Sequence, residues 1–266
     1  MVTYNNINRF YKRKSSGKYT LDTFELYETF LQISLIEEQI DDFIKQRQKN
    51  VLENQFWKNI GSLRSVIIHM IPLAFFKSTI ENFSSDSLKH IFINQLKVPG
   101  HHSYSYRYCL EGFHLFSNRS LDIPNQIIPY NLSFRNGCIE SFTNEGIYEM
   151  EAGKPNLYSD EFLKILKEQL ENNFSFFKAV GIEFPFYLSI NFNNTKNLGL
   201  VVDSSTRMVG RFEYNHLQLP ISLLTNDVIE VKKQIKNMTD ILWQSFGANE
   251  CSQVEFDKVF KNFNIV

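Results

Sequence analysis

Near the middle of this chain, the run "LSFRNGCIES" sets Asn136-Gly137 between two stretches of strand character. Asn-Gly is the sharpest short signal for a β-hairpin, because the preferred two-residue turn needs positive φ at both central positions. It predicts antiparallel strands over 128–134 and 138–142. A hairpin alone is marginal in water, so other elements must cover one of its faces. The rest of the chain has to supply them.

The stretch 63–73, "LRSVIIHMIPL", is too β-branched and too apolar for a surface helix and predicts a buried strand. Residues 103–116 alternate Tyr104, Tyr106, Tyr108 and Leu110 against Ser105, Arg107 and Cys109. That is the pattern of a half-buried strand, with Gly112 a candidate bulge. A strand over 146–150, a loop over 153–158 and an alternating strand "FYLSINF" after Pro185 follow, and "NLGLVV" is placed to pair with "FYLSINF" through an Asn/Thr turn. "HLQLPISLL" reads as extended.

Helices are expected for "LDTFELYETFLQ" behind Thr20, and from Ser34, where Ser34 and Glu37 form a capping box. "SSDSLKHIFINQL" reads as a capped helix. Two longer ones run over 160–180, capped by Ser159 and stopped by Gly181, and over 227–246, capped by Asn226 and stopped by Gly247. Ser252 and Glu255 open a short final helix. The order predicts a mixed α/β (α+β) fold, a mixed sheet with hairpins packed against amphipathic helices.

Across 266 residues, 43% are hydrophobic, which is enough for a substantial core. The 25 phenylalanines and 12 tyrosines make that core aromatic. Net charge is −1, so attraction to phosphate must be local rather than molecule-wide. Cys109, Cys138 and Cys251 are an odd set at wide spacing, which builds no disulfide framework or zinc pattern and fits a reducing, cytoplasmic location. No apolar run follows Met1, and "VIIHMIPLAFF" is too short and too interrupted to span a bilayer.

The chain carries no phosphate-cradling loop, no dinucleotide fingerprint, no zinc-protease helix and no nucleophile elbow. His101, His102, Glu111 and His114 are the nearest approach to a metal set, but strand geometry turns Glu111 and His114 to opposite faces. His69 reads as a core histidine with a hydrogen-bond partner. Cys109 and Cys138 read as small hydrophobes, and Glu37, Glu38, Asp41 and Asp42 as the wet face of a helix. No catalytic residue, metal ligand or cofactor site is therefore assigned. The opening stretch "NRFYKRKSSGKY" is different. Arg9, Lys12, Arg13, Lys14 and Lys18 precede the first acidic residue, Asp22, with Phe10, Tyr11 and Tyr19 among them. Two readings stand: phosphate contacts with bases stacked on the rings, or cations guarding an exposed strand edge.

Several stretches together carry a family likeness. "RFYKRKSSGKYTLDTFELYETFL" resembles the closing strand and following helix of the AlbA_2 (Schlafen-AlbA-type) domain, found in many bacterial proteins labelled DNA-binding or ATP-binding. "IEEQIDDFIKQRQKNVL" is similar to the linking helix, "VIIHMIPLAFF" to a His-x-x-Pro strand, and "YRYCLEGFHLF" to an Arg-Tyr-Asn-x-Asp-Gly strand. "LSFRNGCIES" resembles a Phe-Arg-x-Gly-x-Ile-Glu segment, and "LPISLLTN" with "DILWQSFG" the C-terminal part. Cys109 and Glu111 depart from the pattern. The resemblance implies that 1–33 close an AlbA_2-like domain and that 34–266 form a mixed α/β body. The opening strands of that domain have no counterpart here, nor do the acidic residues with which some relatives cut RNA.

The resemblance implies a non-catalytic accessory or partner-binding subunit of an intracellular bacterial nucleic-acid-directed complex, such as an anti-phage defence system. Arg9, Lys12, Arg13, Lys14 and Lys18 would meet phosphate. Phe10 and Tyr11 would pair with a protein partner or a second copy. A metal-dependent nuclease and a stand-alone DNA- or RNA-binding regulator are the alternatives.

Overall fold

The computed structural model describes residues 2–4, 7–9, 11–14, 17–20, 23–53, 63–73, 80–101, 103–117, 129–144, 146–149, 154–202 and 207–265. The chain has a mixed α/β fold and divides into two compact units, residues 1–49 and 50–266.

In the first unit, β1 (Val2–Tyr4) pairs antiparallel with β2 (Ile7–Arg9), and β3 (Tyr11–Lys14) with β4 (Gly17–Thr20). Helix α1 (Thr23–Leu52) follows and runs for 30 residues. Two helices were expected there. The chain holds no Gly or Pro from 23 to 52, so nothing stops the first helix, and Ser34 lies inside it rather than capping a second. Ile40, Ile44, Arg47 and Val51 form its buried stripe, while Glu37, Glu38 and Asp42 are exposed, as a wet face should be.

The second unit is organised by two sheets. The larger contains β5 (Ser65–Pro72), β6 (Tyr104–Tyr108), β7 (Gly112–Ser117), β8 (Tyr130–Phe134), β9 (Ile139–Thr143), β12 (Phe186–Asn193), β15 (His216–Gln218) and β16 (Ser222–Leu224). Its order is β15-β12-β5-β9-β8-β7-β6, with β16 also on β12. The smaller contains β10 (Ile147–Glu149), β11 (Pro155–Tyr158), β13 (Gly199–Val202) and β14 (Arg207–Arg211), in the order β10-β11-β13-β14. Helices α2 (Asp86–Gln95), α3 (Ser159–Val180), α4 (Val228–Ser245) and α5 (Gln253–Phe260) complete the unit. One core joins Val66, Ile68 and Met70 of β5 and Leu188, Ile190 and Phe192 of β12 to Leu163, Leu166, Leu170, Phe174 and Phe177 of α3.

Four local expectations change. The Arg135-Asn136-Gly137 turn has positive φ only at Gly137, +87°, and the Gly137 N–H donates to the Phe134 carbonyl. The loop is thus a type I turn ending on a left-handed glycine. Residues 103–117 form a hairpin, not one strand, because the Cys109 N–H donates to the Gly112 carbonyl and folds the chain back. The stretch 153–158 includes strand β11, which runs parallel to β13. And "NLGLVV" does not pair with β12, whose two flanks are already taken by β5 and by β15 with β16.

The helix C-terminal stops follow the sequence, while two of the expected N-caps do not. Ser85 caps α2 by accepting from the Leu88 N–H, Gly181 ends α3 in the left-handed region, and Gly247 follows α4 at φ +89°. The cap of α4 is Asp227 rather than Asn226, accepting from the N–H groups of Ile229 and Glu230. Ser159 is the first residue of α3, and its hydroxyl donates to Glu255 instead of capping.

Two glycines make the packing testable. A Cβ at Gly112 would sit 1.9 Å from the Ser133 carbonyl oxygen, whereas one at Gly181 meets nothing within 4 Å but inherits a φ of +73°. Gly181→Ala should cost about 1 kcal/mol of unfolding free energy, the strain of a left-handed alanine. Gly112→Ala should cost about 3 kcal/mol or more, since two backbones must separate. Urea unfolding of both variants measures the difference.

Candidate functional site

Five basic residues singled out in the sequence fall on the two ribbons of the first unit. Arg9 ends β2 as register partner of Val2. Lys12, Arg13 and Lys14 occupy three of the four positions of β3, opposite Tyr19, Lys18 and Gly17 of β4. Tyr11 is the partner of Thr20. Phe10 lies outside the described residues. The register therefore sets Arg13 directly against Lys18, a cross-strand pair of like charge. Each of β1 to β4 has one ladder partner among the described residues.

The second unit contributes a buried polar network on the larger sheet. His69 on β5 and Glu140 on β9 are register partners. The His69 Nε2 lies 3.0 Å from one Glu140 carboxylate oxygen, and the Tyr130 hydroxyl donates to the other at 2.8 Å. Tyr130 stacks on Phe142 with ring centroids 5.1 Å apart, and the His114 ring meets Tyr130 edge-on at 5.0 Å. His69, Glu140 and Ser189, the last being the β12 partner of His69, are each 0% exposed. Ser189 accepts from the Asn191 side chain at 2.9 Å. A serine, a histidine and a carboxylate in one row have the residue types of a hydrolase site. Here the carboxylate is held from both sides and no member touches solvent, so the row acts as an internal brace.

The expected partner of His69 is thus real, and it is a residue that sequence reasoning passed over. Glu140 shares a strand face with Phe142, which is fully buried. A carboxylate alternating with a core phenylalanine was the available signal, since a buried charge demands a partner. Arg135 plays a similar bracing part: its backbone N–H donates to the Glu111 carbonyl, its Nε to the Leu110 carbonyl, and its guanidinium lies 5.0 Å from the Phe83 ring centre. The stretch "RNGCIE" thus meets "YRYCLEG" through Arg135 and "VIIHMIP" through Glu140.

The remaining candidates disperse. His101 bonds to the Ser117 hydroxyl at 3.1 Å, and His102 lies outside the described residues. Among the described residues no group of three or more His, Cys, Asp or Glu is placed to hold a metal ion. Cys138 and Cys251 are buried and Cys109 half-buried. Burial, with the Glu255 carboxylate nearby, pushes the Cys251 thiol up to about 12, which suppresses its thiolate. No helix among the described residues is long and apolar enough to cross a membrane.

No protein-family model, curated protein or solved structure matches this chain.

The His69–Glu140 brace makes a sharp stability prediction. Glu140→Leu should cost about 3 kcal/mol, because a buried histidine loses its carboxylate. Adding His69→Leu should recover part of that loss, giving a coupling of at least about 1 kcal/mol in a double-mutant cycle. Chemical unfolding of the two single variants and the double variant measures it.

Proposed function

We propose that this chain is a non-catalytic, nucleic-acid-associated subunit of an intracellular bacterial complex, of the kind used in anti-phage defence. One observation carries the proposal: β3 holds Lys12, Arg13 and Lys14, and its register sets Arg13 against Lys18. Like charges directly opposed across a ribbon cost about 0.2–1 kcal/mol. Phosphate oxygens relieve that repulsion and add counterion release. Tyr11 and Tyr19 on the same ribbon are of the residue type on which bases stack. Each of β1 to β4 has one ladder partner among the described residues, and in this reading a strand from a protein partner, or from a second copy, pairs at Phe10 and Tyr11. The AlbA_2-like character of residues 1–33 is part of the same reading.

The test is fluorescence anisotropy with short labelled RNA and DNA strands over a range of salt. The wild-type chain should bind, with affinity falling as salt rises by a logarithmic slope of about 0.7 per neutralised phosphate on single strands. Arg13→Glu with Lys18→Glu should weaken binding by about tenfold or more and reduce the slope by about 1.4. An unchanged affinity and slope in that variant contradicts the assignment. Cleavage of the strands in Mg²⁺ or Mn²⁺, lost when a carboxylate is replaced, contradicts the non-catalytic reading.

A further inference from the structure

The two margins of the larger sheet are built differently. On one, the outer side of β12 is shared by β15 and β16, three residues each, with Pro220 between them. Short strands and a proline are ordinary protection against edge-to-edge pairing. On the other, β6 runs for five residues with no proline and no shift in its register with β7. It has no second ladder partner among the described residues.

The hydrogen-bond parity of β6 can be fixed. The Ser117 N–H donates to the Pro129 carbonyl, so the odd positions of β7 bond toward β8. The Cys109 N–H donates to the Gly112 carbonyl, so the even positions of β7 bond toward β6. Ser105, Arg107 and Cys109 thus spend their backbone groups inward. Tyr104, Tyr106 and Tyr108 present theirs outward. The side chains along this margin are unusually apolar for an edge: Tyr106 is 42% exposed, Tyr108 40% and Leu110 93%. Two of the rings are already held. Tyr106 stacks on Phe113 at 5.4 Å and Tyr108 meets the same ring edge-on at 5.1 Å. Ordering them for a partner therefore costs little further entropy.

We propose that β6 pairs antiparallel with β6 of a second copy of this chain, about a two-fold axis at Tyr106. The sequence of the strand is self-complementary in that register and in no neighbouring one. With the axis at Tyr106, the outward backbone groups of Tyr106 bond to those of its own counterpart, and Tyr104 bonds to Tyr108 across the axis. Arg107 then faces Ser105, so no like charges are directly opposed. Moving the axis to Arg107 sets guanidinium against guanidinium. Moving it to Ser105 pairs only Tyr104 to Tyr106 with one another, three of the five residues of β6. A five-residue edge is small against the roughly 1,200 Å² of a stable interface, so the dimer forms in the micromolar range rather than below it.

Sedimentation velocity of the full chain over a micromolar concentration series should show reversible dimerisation. Tyr106→Lys should weaken it about tenfold or more by opposing two charges at the axis, with far-UV circular dichroism reporting that the fold is kept. Leu223→Lys, on the opposite margin, should leave it unchanged. In a Cys109→Ser background, Tyr106→Cys should form a self-disulfide under mild oxidation, because directly bonded antiparallel positions lie about 5.5 Å apart at Cα. Arg107→Cys should link far more slowly. A monomer at every concentration, a dimer indifferent to Tyr106→Lys, or equal linking at 106 and 107 overturns the proposal. If Tyr106→Lys fails to fold, the two cysteine variants decide alone.

Discussion

Every backbone N–H and C=O of β5 is out of reach of water, because all eight of its positions are buried. Each must therefore be taken by a neighbouring strand, since an orphaned buried group costs as much as a lost hydrogen bond. That requirement puts β12 on one flank over all eight positions and β9 on the other from Val66 to Met70. It also fixes what the side chains may be. Seven positions are apolar or small, and the one strongly polar residue, His69, sits opposite the one carboxylate of β9. The rest of the larger sheet grows outward from this pairing: β8 hairpins onto β9, β7 onto β8, and β6 folds back on β7. Chain segments that cannot join this sheet are sent to the smaller one, which is why β13 leaves β12 through Asn194 and Asn197, both at positive φ.

Much of this was legible in the residues. The buried strand at 63–73, the hairpin around Asn136-Gly137, the strand after Pro185, and helices α2 to α5 each follow from local pattern, turn chemistry and caps. What local pattern could not provide is which strands pair. "PNLY" reads as loop because it is short, opens on a proline and holds an asparagine, and it becomes β11 only because β13 arrives beside it. Glu140 went unremarked because a carboxylate on a strand normally faces water, and only the register with His69 shows otherwise. The break expected at Ser34 came from a capping box without a preceding stop. A cap signal inside an uninterrupted helical stretch yields to the helix.

The two units divide the chemistry between them. In the second, the charged and polar side chains most suggestive of catalysis are spent on one another: Glu140 holds His69 and Tyr130, and Arg135 holds the turn at 109–112. In the first, the register places Lys12, Arg13 and Lys14 of β3 opposite Tyr19, Lys18 and Gly17 of β4. Under the proposed function phosphate meets these cations, because it supplies charge as well as acceptors. The aromatic residues that the composition supplies in excess serve the core of the second unit, where the Phe92 ring stacks on both Phe113 and Phe176.

Under the proposed function, the β3–β4 ribbon is the surface that meets nucleic acid. Hydrogen–deuterium exchange with and without a short single strand, read by peptide across the whole chain, tests it most directly. Slowed exchange across residues 11–20 on addition of the strand, fading as salt is raised, is the expected result. Exchange there that stays the same, with protection arising only in the second unit, would contradict it.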